Sequence, residues 1–97
     1  MLGAELLLRN ILNSGVDKIF TLSGNQIMPI YNAAIDLDIE MVHCRHEASA
    51  VFMADGYAQS SGKVGVALVT AAPGFTNSLG PLFCLLYTSD AADEVVS

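Results

Sequence analysis

Three short polar or glycine-containing segments interrupt an otherwise apolar sequence and hold the residues best suited to chemistry. They are Ser23-Gly24-Asn25, Arg45-His46-Glu47 and the sequence APGFTN at 72–77. Each segment follows an apolar run that predicts a short buried strand. Because ligands of open parallel α/β sheets bind beyond the carboxyl ends of the strands, the three segments predict one shared binding edge.

Glu47 has the clearest chemical use among these residues. It lies at the joint between a predicted strand at 39–44 and a predicted helix at 47–59. A carboxylate at the edge of an apolar crevice suits proton transfer. The alternative is an ordinary acid in the first turn of a helix, where the helix dipole favours negative charge by ~0.3–1 kcal/mol. The residues alone leave both interpretations open, and they favour a structural role for His46.

Helices and strands alternate around these segments. Strands are predicted at 18–22, 39–44 and 64–72, and the third is apolar throughout, as in the centre of a parallel sheet. Helices are predicted before the first strand and after each strand, the last one capped by Thr76-Asn77. This order is typical of the α/β class with a doubly wound parallel sheet. With three strands the sheet is expected to be incomplete, and its free edge favours aggregation.

Composition and charge exclude several classes of function. The 97 residues are 53% hydrophobic, and the formal net charge is -6 with only four Lys and Arg. A nucleic-acid partner is not expected, because phosphate binding needs clustered basic side chains. No apolar run is long enough to cross a bilayer, so a membrane role is not expected either. Cys44 and Cys84 lack the spacing of a metal or redox site, which predicts no metal ligands and a cytoplasmic setting.

The motifs occur together in an order that resembles one enzyme family. GVDKIFTLSG is followed by RHEASAVFMADGYA and then by APGFTN. From Gly3 to about Phe83 the chain resembles the N-terminal pyrimidine-binding domain of thiamine-diphosphate-dependent enzymes, in particular the acetolactate synthase-like group. The resemblance implies that residues 1–83 form a partial pyrimidine-binding domain, the first half of a thiamine-diphosphate-binding fold.

The resemblance also implies roles for individual residues. Glu47 matches the glutamate that hydrogen-bonds the cofactor's aminopyrimidine and activates it, so it is expected to be both catalytic and cofactor-binding. The other residues expected in the aminopyrimidine pocket are Pro73, Gly74 and Asn77. The residues expected on the substrate side are Ser23, Gly24 and Asn25. In this family Mg2+ and the diphosphate are bound by a separate domain whose motif this sequence lacks, and an FAD requirement stays open.

The implied function is that of an N-terminal fragment of a 2-oxo acid decarboxylase or carboligase, a lyase or transferase. We expect a small-molecule 2-oxo acid substrate and a homodimer or homotetramer of the full-length protein. The 97-residue chain alone is expected to be inactive, because active sites of this family form between subunits. Two alternatives remain: a 2-hydroxyacyl-CoA lyase or oxalyl-CoA decarboxylase-like enzyme, and a stand-alone, non-catalytic binding subunit.

Two regions depart from the family pattern. Ser23-Gly24 stands where Pro-Gly is common, and Ala72 stands where a glycine often precedes Pro-Gly; the second departure is expected to be the milder. Residues 84–97, CLLYTSDAADEVVS, turn acidic where a further apolar strand is expected. Because CLLYTSDAADE resembles the translated read-through of a sequencing-library adapter, we expect residues 84–97 to be a non-native tail.

Overall fold

A computed structural model describes residues 3–87 of the chain. Its elements are α1 (Gly3–Asn13), β1 (Lys18–Thr21), a 3-10 helix (Asn25–Ile27), α2 (Met28–Ala34), β2 (Glu40–His43), α3 (Glu47–Ser61), β3 (Ala67–Leu68) and α4 (Pro73–Leu85). The strands form one parallel sheet in the order β2-β1-β3. The predicted α/β class with an incomplete parallel sheet is confirmed.

Glycines follow the ends of α1 and α3, and α3 ends close to its predicted position. α1 stops just before Gly15, which has a φ of 87°. α3 is followed by Gly62, with a φ of 74°, whose N–H donates to the carbonyl of Ala58. Glycine suits both positions because a Cβ would strain a left-handed backbone.

The sheet lies between two helical layers. Successive residues of β1 point to opposite faces, so its apolar side chains need a helix on each side. Ile19 packs with Leu8 of α1 and Ala34 of α2 on one face. Phe20 packs with Ala50 of α3 on the other face. The core therefore lies on both sides of β1, which is the central strand.

The third strand differs from its prediction in both length and position. Only Ala67 and Leu68 pair with a neighbour, namely with Phe20 and Thr21 of β1, so the predicted strand at 64–72 was too long. β3 is also an edge strand of the described sheet and not its centre. A ladder needs a partner strand, and β1 ends at Thr21, so residues after Leu68 have no strand beside them on that side.

α4 begins about one turn earlier than predicted. Its first residue is Pro73, and Ala72 is the N-cap, so the prediction of a cap at Thr76-Asn77 was wrong. Proline is favoured at this position because its missing N–H would have no helical partner there. Cys84 and Leu85 of the predicted non-native tail continue α4, whereas residues 88–97 lie outside the described residues. The origin of that tail stays a prediction.

Candidate functional site

The carboxyl ends of the three parallel strands point to one edge of the sheet, termed the rim. The rim consists of the segments that follow β1, β2 and β3, which are residues 22–26, 44–47 and 69–77. Thr70 of the third segment hydrogen-bonds to Gln26 of the first, and Asn77 hydrogen-bonds to Glu47 of the second. The chemistry-bearing segments of the sequence are therefore neighbours in the fold.

Glu47 is a buried carboxylate at the rim, only 6% exposed. Its Oε1 accepts a hydrogen bond of 3.2 Å from Nδ2 of Asn77, which lies in the second turn of α4. Oε2 of Glu47 makes no hydrogen bond to any of residues 3–87. No fully buried side-chain nitrogen or oxygen in this range lacks a partner, so Oε2 is not fully buried. One oxygen of the carboxylate is thus fixed by the protein and the other is open to a ligand.

His46 fixes the start of the helix that bears Glu47. Its Nδ1 accepts a hydrogen bond of 2.9 Å from the backbone N–H of Ala48. This is the geometry of an N-cap, in which a side chain satisfies one of the unpaired N–H groups of the first turn. His46 therefore holds Glu47 in place, and its own acceptor nitrogen is occupied.

Two glycines lie close to the side chain of Thr70, one in the first segment of the rim and one four residues further along the third. A Cβ built on Gly24 would lie 2.4 Å from the Cβ of Thr70. A Cβ built on Gly74 would lie 3.1 Å from Cγ2 of Thr70. Non-bonded carbons pack at about 3.5–4.0 Å, so a side chain at Gly24 would not fit. Gly24 is needed for space and not for conformation, because its φ of -166° is extended backbone.

The remaining predicted site residues also lie on the rim. Ser23 and Asn25 are exposed beside Gly24, and Pro73 is exposed at the first position of α4. Gly74 is buried, and its carbonyl accepts a hydrogen bond of 2.8 Å from Oγ of Ser78. Their roles toward a cofactor or a substrate stay predictions.

Ala72 holds a strained backbone conformation at the rim. Its φ is 59° and its ψ is -100°, and it is the one non-glycine residue among residues 3–87 with a positive φ. Such a conformation costs about 1–3 kcal/mol in a residue with a Cβ. A glycine would hold it without strain. The expectation that this departure is the milder one stays a prediction.

A buried hydroxyl ties three elements together beneath the rim. Oγ1 of Thr21, fully buried in β1, donates to the carbonyl of Leu68 in β3 at 2.7 Å. The hydroxyl of Tyr31 in α2 lies 2.6 Å from the same Oγ1. Because a threonine hydroxyl has one proton, Tyr31 is the donor in the second bond. The chain of hydrogen bonds fixes the ends of β1 and β3 relative to α2.

Sequence reasoning missed Gln26 and Thr70. Both are single polar residues near a strand end, which no motif distinguishes from ordinary loop residues. The available signal was Gly24 and Gly74, because a glycine outside a turn indicates that another group comes close. That signal does not identify the group, which is Thr70 in both cases.

A separate apolar groove of about 440 Å³ lies between α3, β3 and α4. Its lining includes Val51, Ala54, Ala67, Val69 and Leu82, and Glu47 is not part of it. Within residues 3–87, three or more His, Cys, Asp or Glu side chains do not cluster in a way that would hold a metal ion. No helix in the same range is long and apolar enough to span a bilayer.

Comparison with known proteins gives a family match over most of the chain. Residues 1–89 match the family described as thiamine pyrophosphate enzyme, N-terminal TPP binding domain. The acetolactate synthase large subunit of Haemophilus influenzae is 46% identical over 96 residues, which are 98% of this chain and 17% of that protein.

Two further relatives cover less of the chain. Acetolactate synthase isozyme 3 large subunit of Escherichia coli is 44% identical over 79% of this chain and 14% of that protein. The 2-hydroxyacyl-CoA lyase 2 of Danio rerio is 49% identical over 79% of this chain and 12% of that protein. The chain thus spans less than a fifth of the length of these curated relatives.

Proposed function

The chain belongs to the thiamine pyrophosphate enzyme family, within its N-terminal TPP-binding domain, and we propose that Glu47 activates this cofactor in a 2-oxo acid decarboxylase or carboligase. Thiamine pyrophosphate and thiamine diphosphate are two names for the same cofactor. The observation that supports the proposal is the carboxylate of Glu47, buried at the rim with one oxygen bound to Asn77 and the other open.

The residues of the rim fit the aminopyrimidine of thiamine diphosphate. That ring presents nitrogen atoms that exchange hydrogen bonds with a carboxyl group, and the open Oε2 of Glu47 is such a group. Gly74 is buried at the start of α4 and has no side chain to obstruct an aromatic ring. When bound, the cofactor supplies the electron sink for the carbanion that decarboxylation produces.

The residues of this chain would position the ring and hold a proton. Glu47 would hold the proton at Oε2 against a ring nitrogen, while Asn77 keeps the carboxylate from rotating. The exposed Ser23 and Asn25 would face the 2-oxo acid. Diphosphate and Mg2+ would be bound by another domain of a homodimer or homotetramer. The proposal includes a cytoplasmic enzyme and leaves an FAD requirement open.

Glu47→Gln in the full-length protein tests the proposal directly. An amide of the same shape cannot exchange a proton with the ring, and general acid–base groups contribute roughly 10²–10⁴-fold to rate. We expect pyruvate turnover to fall by that factor while thiamine diphosphate still binds, because the diphosphate is held elsewhere. Decarboxylation is measured by CO2 release and cofactor binding by calorimetry.

Asp55→Asn provides a matched control on the same helix. Asp55 lies two turns further along α3, where its Oδ2 accepts a hydrogen bond from Gln59. Turnover of this variant should equal that of the wild type. Full activity of the Glu47→Gln enzyme would overturn the proposal and favour a non-catalytic binding domain. Turnover of pyruvate by the 97-residue chain alone would overturn the proposed dependence on other domains.

A 2-hydroxyacyl-CoA lyase is the second candidate function. The observation that favours it is the 49% identity to the Danio rerio lyase, against 44% for the Escherichia coli synthase over the same share of this chain. Both candidates use Glu47 in the same way and differ in substrate. Cleavage of the C1–C2 bond of a 2-hydroxyacyl-CoA by the full-length protein, with no turnover of pyruvate, would decide for the lyase.

A further inference from the structure

Gln26 is an exposed amide on the rim, directly after the predicted substrate-side residues Ser23 to Asn25. Its Oε1 accepts a hydrogen bond from Oγ1 of Thr70. We propose that Gln26 is a substrate-binding residue, whose side-chain N–H groups donate to the carboxylate of a 2-oxo acid, and that Thr70 orients it. This inference rests on the proposed function and adds to it two residues that the sequence motifs do not identify.

The hydrogen bond to Thr70 determines which end of the Gln26 amide is available. A threonine hydroxyl has one proton, and here it is donated to Oε1 of Gln26. The two N–H groups of Nε2 have no acceptor among residues 3–87. Gln26 therefore presents donors at the rim. A carboxylate is an acceptor-only group, so donors of this kind match it.

Thr70 is itself held firmly, which makes it a suitable positioning residue. A Cβ at Gly24 would lie 2.4 Å from Cβ of Thr70, and a Cβ at Gly74 would lie 3.1 Å from its Cγ2. The side chain of Thr70 therefore packs against the backbone at both glycines. Neither glycine has a side chain that could move and give Thr70 more room. Its hydroxyl direction is set before any ligand binds. Pre-orientation lowers the entropy that Gln26 loses on binding.

Arg45 is the competing donor at the rim. It follows β2, is exposed, and has no hydrogen bond or ion pair to any of residues 3–87. A long side chain without a partner loses more rotamer entropy when it binds than one that is already tethered. The lower entropy cost therefore favours Gln26 as the donor to the carboxylate. An Arg45→Gln variant serves as a direct comparison.

The test uses the full-length enzyme with pyruvate as the probe. Gln26→Leu keeps the size of the side chain and removes both donors. A hydrogen bond to a charged group contributes enough to change affinity roughly 10–100-fold, so KM for pyruvate should rise by at least about 10-fold. The kcat and the half-saturating concentration of thiamine diphosphate should stay within about threefold of the wild type, because Gln26 binds neither the cofactor nor Glu47.

Variants of Thr70 separate positioning from packing. Thr70→Val keeps the shape and removes the hydroxyl, and it should raise KM several-fold, roughly 3–10-fold, with unchanged kcat. Thr70→Ser keeps the hydroxyl and should restore the wild-type KM. Binding of pyruvate to the Glu47→Gln enzyme, measured by calorimetry without turnover, should weaken by the same factors when these substitutions are added.

Gln59→Leu is the matched control, because Gln59 is the other glutamine of the sequence and lies on α3, bonded to Asp55. Its KM should not change. The inference is overturned if Gln26→Leu leaves KM unchanged while Glu47→Gln is inactive, or if Arg45→Gln alone raises KM. Failure of the wild-type protein to bind pyruvate, or full activity of Glu47→Gln, would instead overturn the proposed function on which the inference rests.

Discussion

The loops that follow β1 and β3 both lie on the rim, and each contains one position suited to glycine, but for opposite reasons. Gly24 has an extended backbone that any residue adopts, with no room for a Cβ beside Thr70. Ala72 is exposed and has room, but its φ of 59° is one that a Cβ disfavours. Space limits the first loop and conformation limits the second.

This difference shows that the two loops contribute to the rim in different ways. The loop with Gly24 has an unstrained backbone that packs closely against Thr70. A side chain added at Gly24 should therefore lower stability and also displace Thr70 from Gln26. The loop with Ala72 stores strain immediately before the helix that bears Asn77. Strained residues persist where the surrounding structure fixes them, and they are frequent at functional sites.

The largest expected effect comes from adding a methyl group to the closely packed loop. Gly24→Ala forces Thr70 or the loop to move, and overpacking of this kind costs about 1–3 kcal/mol in the free energy of unfolding. Urea denaturation measures that loss. In the full-length enzyme the same substitution should also raise KM for pyruvate, because Thr70 orients Gln26.

Two other glycines separate these effects. A Cβ on Gly65 would lie 2.1 Å from the carbonyl oxygen of Ala54, but Gly65 precedes β3 and lies away from the rim. Gly65→Ala should therefore lower stability without changing KM. Gly56 has no atom within 4 Å of an added Cβ, so Gly56→Ala in α3 should not destabilise the protein. Equal stability of Gly24→Ala and Gly56→Ala would contradict the space argument.

A smaller effect of opposite sign is expected in the strained loop. Ala72→Gly releases the backbone strain, and the greater freedom of glycine in the unfolded chain offsets part of that gain. We expect the free energy of unfolding to increase by about 1 kcal/mol, measured by urea denaturation. A decrease would show that Ala72 is relaxed at its φ of 59° and that the two loops do not differ in this respect.

The smallest effect lies at the amino ends of the strands, away from both loops. The hydrogen bond to the Glu40 carboxylate, at 2.8 Å, raises the pKa of Lys18 above its ordinary 10.5. Because the folded pKa is raised, the stabilisation is complete below pH 10.5 and is lost as the pH rises through the folded value. The pair is exposed, so the effect is slight.

Melting temperatures across this pH range test the pair. The wild type should lose slightly more stability than Glu40→Gln as the pH rises above 10.5. The activity of the two proteins should be the same, because neither residue is at the rim. Parallel melting curves would show that the pair contributes nothing measurable to folding.

The sequence predicted the layout of the fold well because each element has a local signal. The change from apolar residues to Glu47, for example, located the joint between β2 and α3. Local patterns gave wrong predictions where a contact with a residue distant in the sequence determines the structure. The extent of β3 depends on where β1 ends, and Asn77 bonds to Glu47 across two helices and does not cap its own.

At the site, residue types located Glu47 but not its supports. The position of a carboxylate directly after a strand is visible in one sequence, whereas its burial is not. The contacts of Thr70 with residues 24 and 26 join positions that are far apart in the chain. The positive φ of Ala72 cannot be read from the sequence either, because a Pro-Gly pair such as the one that follows it also occurs in unstrained turns.

The bond between Thr21 and Leu68 has a consequence for the order of events in folding. It joins residues 47 positions apart, whereas Lys18 and Glu40 on the other side of β1 are 22 positions apart. Each doubling of a loop costs about 0.6 kcal/mol in chain entropy, so β2 is closed onto β1 more readily than β3. Until β3 arrives, the hydroxyl proton of Thr21 lacks its acceptor on Leu68, and the contact of Thr70 with Gln26 forms only with that last closure.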